Sequence, residues 1–295
     1  MIMNMSAGAN IQPVVGKLLS TLNVGDTLEV PVVSDWQSRF GANIVWKVAD
    51  KNHAGYPTDS VTLITDKIIQ TMAWDAKEPN NSDSGRRNYG NNRHIYSNLL
   101  QWLNSNATAG NWYSAKHSTD APPTNANVWS NYNEYDGWAG FLAMLDPKFV
   151  AELLDTTLTV AKSSPDGGSY ETFAAKMFIA STAEVGLADE NEIAEGTCLA
   201  LFSNDASCVA YPTAECVSNS EYTSDNFTTS NGWNWWLRTP GSLGTSAVHL
   251  IQPSGAPVTS YAYYGRTGVR PLCNLPGSFR VSETTNTSGH YTLLN

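Results

Sequence analysis

Three stretches in the first quarter of the chain alternate apolar with other residues as half-buried strands do: TLEVPVV (27–33), NIVWKVADK (43–51) and SVTLITDKII (60–69). Their β-branched residues favour the same assignment, and the three predict an N-terminal hairpin or meander. Residues 78–94 are polar and rich in Gly and Asn, which predicts a loop. Ser97 is placed to cap a helix over NLLQWLNS, with Leu99, Leu100 and Leu103 apolar. In DPKFVAELLD, Asp146 suits the N-cap, Pro147 the first turn, and Phe149, Val150, Leu153 and Leu154 an apolar face. KMFIASTAEVGL reads as a strand and a turn. NWWLRTP, AVHLIQPSG, PVTSYAY and GVRPLCNL read as short strands punctuated by Gly, Pro and Ser. Residues 104–135 form a long polar stretch dotted with Trp112, Trp129, Tyr132 and Tyr135, and residues 186–232 are again loop-rich. Many short strands around two small helices predict an α+β fold with long ordered loops. The expected organisation is a flexible N-terminus over 1–10, one domain over 11–281 and a polar C-terminal tail over 282–295 that frays. Residues 11–20 are read as a short helix or an attachment segment.

Composition sharpens this picture. Ten Trp and thirteen Tyr accompany only 15% charged residues, a mixture that suits a core, a recognition surface, or both. The net charge of −10 would repel a phosphate backbone, so nucleic acid is not an expected partner. No stretch is long and apolar enough to insert in a membrane, and no secretory signal is visible. Cys198, Cys208, Cys216 and Cys273 form no CxxC pair and have no His at zinc-site spacing. They read as small buried hydrophobes, with a disulfide among the first three as the competing reading. Neither metal nor cofactor is expected.

The ordered series VGDTLEV, VWKVADK, LITDKIIQTMAWD, NNRHIYSNLLQWLNS, FLAMLD, STAEVGL, NWWLRTP and GVRPL covers residues 24 to about 275. It resembles a large group of domains of gut bacteria and their phages with a C-type-lectin-like fold, related to the formylglycine-generating-enzyme domain. WWLRTP (235–240) and GVRP (268–271), in that order and at that spacing, are its most specific part. The group includes the variable proteins of diversity-generating retroelements, in which mutated adenines are copied into the end of the gene between those two motifs. The resemblance implies a ligand-binding, receptor-recognising protein such as the receptor-binding tip of a phage tail fibre. It implies a protein or glycan ligand on a bacterial surface and a location on a virion or a bacterial cell surface. A non-diversified surface adhesin or carbohydrate-binding module is the alternative. Homo-oligomerisation is left open, since phage relatives are often trimers while the chain has no coiled-coil heptads.

Adenine substitution in AAC or AAT codons cannot yield Lys, Glu, Gln, Met or Trp. Residues 242–267 contain no Lys, Glu, Met or Trp, and Gln252 would be fixed. Free variation is possible only where the fold does not depend on the side chain. Trp235, Trp236, Arg238 and Arg270 are therefore expected as a fixed frame, the arginines clamping loops through carbonyls or carboxylates. Strand alternation predicts Val248, Leu250 and Val258 inward and His249, Ile251, Thr259 and Tyr261 outward. Ser242, Leu243, Thr245, Ser246, Ala256, Pro257, Ser260, Tyr263, Tyr264, Arg266 and Thr267 are expected on turns or outer faces. These fifteen outward positions make the candidate binding surface, with the three tyrosines and Arg266 at its centre. Gly255, Gly265 and Gly268 are expected to serve turns.

Enzyme readings find little support. Formylglycine-generating enzymes use a copper-binding cysteine pair shortly after the strand matching NWWLRTP, and this chain has no cysteine over 217–272. GTSAV and GRTGV do not match a GxSxG elbow. Asp136, Asp155 and Glu184 are scattered carboxylates, and ADENEIAE (188–195) reads as a solvated acidic loop rather than a calcium site. His249 has no acidic neighbour between 242 and 267 and is expected to face solvent or ligand.

Overall fold

Backbone pairing in the computed structural model, which describes residues 16–294, is organised around two sheets that share a corner. The expected loose N-terminus over 1–10 lies outside the described residues, as do residues 11–15 of the expected helix or attachment segment. The rest of that segment forms the strand Lys17–Leu18 and a 3-10 turn at Leu19–Thr21.

Six strands form one sheet in the order Tyr291–Thr292, Thr27–Pro31, Asn43–Lys51, Ser60–Thr65, Leu272–Pro276 and Met177–Phe178. The three N-terminal strands are those marked by the alternating pattern. Ser60–Thr65 is buried at all six positions, as a central strand covered on both faces must be. Tyr291–Thr292 pairs parallel to Leu28 and Glu29. The polar tail expected to fray therefore closes an edge of the sheet, and the Tyr291 hydroxyl accepts from Lys17 Nζ at 2.8 Å.

The second sheet has the order Pro257–Tyr261, Ala247–Ile251, Trp235–Pro240, Gly268–Val269 and Gln70–Thr71. Two chain segments cross between the sheets, one over residues 66–69 and one at Arg270 and Pro271. Arg270 is buried at this crossing and donates to the Thr65 carbonyl at 3.0 and 3.2 Å. A separate ribbon pairs Thr156–Ala161 with Tyr170–Ala175; the sequence pattern did not single it out.

Two cores flank the second sheet. One gathers Trp46, Trp74, Trp102, Tyr135, Phe149 and Trp236; the other gathers Phe178, Phe202, Phe227, Trp233, Trp235 and Leu237. Successive side chains of a strand point to opposite faces, so Trp235 and Trp236 enter different cores and Trp235–Pro240 is buried throughout. The two marked helices form as Asn98–Leu103, capped by Ser97, and Pro147–Ala151, capped by Asp146. The whole is a mixed α+β fold. Among the described residues, no helix is long and apolar enough to cross a membrane.

Candidate ligand-binding surface

The hairpin Ala247–Ile251/Pro257–Tyr261 stands on the buried frame strand Trp235–Pro240. The frame is held through its edges and its side chains. Trp235 Nε1 donates to Cys208 O at 2.9 Å and Trp236 Nε1 to Met72 O at 2.9 Å. Arg238 makes a bidentate pair with Glu184, at 2.6 and 2.7 Å, and also donates to the carbonyls of Ile179 and Glu195. Arg270 lies 4.9 Å from the centre of the Trp235 ring.

Around Arg238 lies a buried polar centre that sequence separation concealed. The Tyr56 hydroxyl donates to Glu184, and Ser181 N donates to its other oxygen at 3.1 Å. Glu195 accepts from Ala161 N at 2.8 Å and from the Thr239 hydroxyl. A small cavity of about 70 Å³ adjoins Tyr56, Glu184, Glu195 and Arg238. Every carboxylate oxygen here already accepts from the protein, so the centre is built to fasten loops. The acidic stretch expected to be solvated thus sends Glu195 into the interior, 1% exposed. Glu190 of the same stretch pairs with His249 Nε2, so His249 is tied down rather than free in solvent.

Burial pushes the Glu195 carboxyl from its usual 4.5 up to about 7, partly offset by Arg238, Thr239 and the Ala161 N–H and reinforced by Glu184. A carboxyl raised on folding binds more protons in the folded state between those values. The stability it contributes is present at low pH and is lost as pH rises from about 4.5 to about 7. Glu195→Gln keeps an acceptor for Ala161 N and turns the acceptor facing Thr239 into an N–H that the hydroxyl oxygen can accept. It should flatten that slope and raise stability at pH 8 by up to about 3 kcal/mol. Urea unfolding of both proteins at pH 5 and pH 8 checks this; parallel pH curves would refute it.

The structure sorts the fifteen sequence-predicted positions unevenly. Leu243 is 87% exposed, Tyr261 is 39% exposed, and Pro257 and Thr259 are also exposed. Ser242, Thr245, His249, Ala256, Ser260, Tyr264 and Arg266 are half-buried. Ser246, Ile251, Tyr263 and Thr267 are buried, against the expectation that they face outward. Ile251 sits at 0% because residues 199–233 bring the second core over the face that alternation assigned to solvent. Val258, expected inward, is 40% exposed: it lies opposite Leu250 on the edge strand, beyond the reach of the first core. Among the cysteines, Cys198 is exposed while the other three are buried, and all four are free.

Where the hairpin ends, its tyrosines meet Tyr89 and Trp129, and Trp129 extends the row to Tyr132 and Tyr222. Tyr89, at the end of the helix Ser84–Tyr89, stacks on Tyr261 at 4.2 Å and 12°. Tyr263 stacks on Tyr264 at 5.1 Å, and Trp129 meets Tyr264 edge-on at 5.2 Å. Tyr222 lies 6.2 Å from Trp129 and 6.0 Å from Tyr132. Apart from buried Tyr263 and exposed Tyr261, these rings are half-buried, each with a face or edge on the surface.

Local backbone chemistry positions the platform. Asn133, at φ 61°, donates its amide to Gly265 O at 2.6 Å and to Thr71 Oγ1 at 3.0 Å. It also exchanges two hydrogen bonds with Glu221, at 2.7 and 2.8 Å, which sets Tyr132 beside Tyr222. A Cβ at Gly265 would stand 2.2 Å from the Tyr132 carbonyl. Gly265 lies in the turn that Thr267 N closes on Tyr264 O, and glycine is needed there for close approach; Gly255, at φ 89°, serves the hairpin turn, whereas Gly268 lies in the strand Gly268–Val269 rather than a turn. Asn92, fully buried, donates to the carbonyls of Gly244 and Ala247 at 2.8 and 3.0 Å and so holds the loop leading into the hairpin. Trp129 and Tyr132 were visible as aromatics in a polar stretch; nothing in the sequence pattern linked Tyr89, Asn92 or Tyr222 to the hairpin.

The arrangement offers ring faces, phenol hydroxyls and one guanidinium on a rigid floor, which suits recognition rather than bond-breaking. No group of three or more His, Cys, Asp or Glu side chains that could hold a metal ion is found among the described residues. Searches of curated proteins and of solved structures return no match. A family model described as a domain of unknown function (DUF6273) matches residues 59–277, well over half of the chain and including the frame, the hairpin and the platform; the chain belongs to that family.

Proposed function

We propose that this chain is a ligand-binding protein that reads a ligand on a bacterial surface with its tyrosine–tryptophan platform. In this reading it is a C-type-lectin-like domain diversified by a retroelement and serves as the receptor-binding tip of a phage tail fibre. The observation that carries the binding function is the convergence of Tyr89, Trp129, Tyr132, Tyr222, Tyr261 and Tyr264 on one partly open surface. Tyr and Trp dominate binding hot spots because they offer large contact areas at low entropic cost. The exposure of Leu243, Pro257, Thr259 and Tyr261 on a hairpin rooted in a buried frame supports diversification, because substitutions there leave the packing intact.

Labelled protein on a panel of intact bacterial cells tests the platform. Tyr261→Ala and Tyr132→Ala, at its two ends, should each weaken binding tenfold or more while moving Tm by only a few degrees. Binding undiminished in both variants would overturn the reading.

A non-diversified adhesin or carbohydrate-binding module is favoured by a different observation. Four of the platform rings lie outside residues 242–267, and four of the fifteen outward-expected positions are buried. The nucleotide sequence decides between the two. Diversification requires a near-copy of the codons for 233–275, carrying AAC or AAT at positions such as 242, 261 and 266, beside a reverse-transcriptase gene. Absence of that copy leaves the adhesin.

A further inference from the structure

We propose that the platform takes an acidic saccharide, its sugar ring lying on the aromatic faces and its carboxylate or phosphate held by Arg266; this rests on the ligand-binding reading above. Arg266 is pressed among three rings, 4.8 Å from the centre of Trp129, 5.2 Å from Tyr264 and 5.7 Å from Tyr222. Its backbone is fixed as well, since its carbonyl accepts from Trp233 Nε1 at 2.8 Å. Ring quadrupoles present negative faces that hold a cation.

What the guanidinium lacks is an anion. Acids outnumber bases 27 to 17 in this chain, so an arginine has carboxylates in ample supply. Arg86 is paired with Asp166, Arg93 with Glu171 and Arg238 with Glu184. Arg39, over the Trp138 ring, still has Glu221 and Glu134 nearby. Among the described residues, no carboxylate pairs with Arg266 and no hydrogen bond leaves its side chain. Its planar fork of N–H donors matches a carboxylate or phosphate in two-pronged fashion. Because the rings already restrict it, little freedom is lost when an anion docks. Lys77 Nζ, 5.3 Å from the Tyr263 ring, places a second cation along the same row of tyrosines.

The backbone beneath the platform argues for a sugar rather than an acidic peptide. Tyr263 N donates to Tyr89 O, Trp129 N to Tyr263 O and Tyr264 N to Tyr261 O. The carbonyls of Gly265 and Arg266 are taken by Asn133 and Trp233. A peptide main chain therefore finds no partner among these groups. A saccharide needs none: its C–H bonds lie on ring faces, its hydroxyls reach the phenols, and its one anion meets the guanidinium.

Immobilised oligosaccharides test the assignment: a galacturonate oligomer, a mannose-phosphate oligomer, and their neutral galactose and mannose counterparts. One acidic saccharide should bind at least tenfold more tightly than its neutral counterpart, and which arm binds distinguishes carboxylate from phosphate. Arg266→Met should erase that preference, Arg266→Lys should retain part of it, and both should melt near the wild-type temperature. Equal binding of acidic and neutral forms overturns the inference, as does failure of both acidic saccharides to bind or an undiminished preference in Arg266→Met. The ligand-binding reading fails separately, when Tyr261→Ala and Tyr132→Ala leave cell binding intact.

Discussion

Replacing Arg238 with Met should destabilise the fold by about 3–5 kcal/mol, the cost of leaving one partner of a buried ion pair uncompensated. Glu184 is 0% exposed and would keep only the Tyr56 hydroxyl and Ser181 N as donors to its carboxylate. The Ile179 carbonyl would lose its side-chain donor as well, and the Glu195 carbonyl would keep only the Ser181 hydroxyl. For a chain of this size the loss corresponds to a fall of roughly 5–8 °C in Tm. The double variant Arg238→Met/Glu184→Gln should recover a large part of it, because the stranded charge is then gone. Chemical denaturation at pH 7.5 reads both. An Arg238→Met protein within 1 kcal/mol of wild type would mean that the pair is not what fastens the 180–196 loop to the frame.

Trp235→Ala should cost a comparable ~3–5 kcal/mol, as large aromatic truncations in cores do. The ring is fully buried, stacked on Phe202 at 6.3 Å and covered by Arg270 at 4.9 Å. Its loss opens a cavity, orphans the Cys208 carbonyl and strips Arg270 of the face it lies on. Trp235→Phe separates packing from hydrogen bonding: it should cost about 1–3 kcal/mol, mostly from the unsatisfied carbonyl and the smaller ring. Ile251 pairs directly with Trp235, so amide exchange in Ala247–Ile251 should rise in the alanine variant before global unfolding does. Unchanged exchange in that strand would show that the hairpin does not depend on this anchor.

Local sequence pattern located the longer strands of the two main sheets and both capped helices, though not the Thr156–Ala161/Tyr170–Ala175 ribbon, because those signals are short-range. The alternation in NIVWKVADK and the Ser97 and Asp146 caps involve residues within one turn or one strand of each other. Failures came where a distant segment decides what is inside. Ile251 has the spacing of an outward residue, yet residues 199–233 cover its face; Val258 has the spacing of an inward one, yet the edge strand outruns the core. Glu195 sits in a run of acids and would be solvated were Arg238 and Thr239 not 43 and 44 residues away in sequence and adjacent in space. The tyrosines of the hairpin marked part of the platform. The rest required Asn133, whose left-handed backbone and short amide join Gly265, Thr71 and Glu221 in a way that no spacing rule anticipates.

The order of strands in the six-stranded sheet bears on how the molecule is made. Leu272–Pro276 inserts between Ser60–Thr65 and Met177–Phe178, although it is among the last strands in the chain. During translation Ser60–Thr65 leaves the ribosome with one flank unpaired and waits for some two hundred further residues. An apolar strand with an open flank invites intermolecular pairing. Nascent chains should therefore call on chaperones, and a stop codon anywhere ahead of Pro276 should give aggregates rather than a smaller folded product.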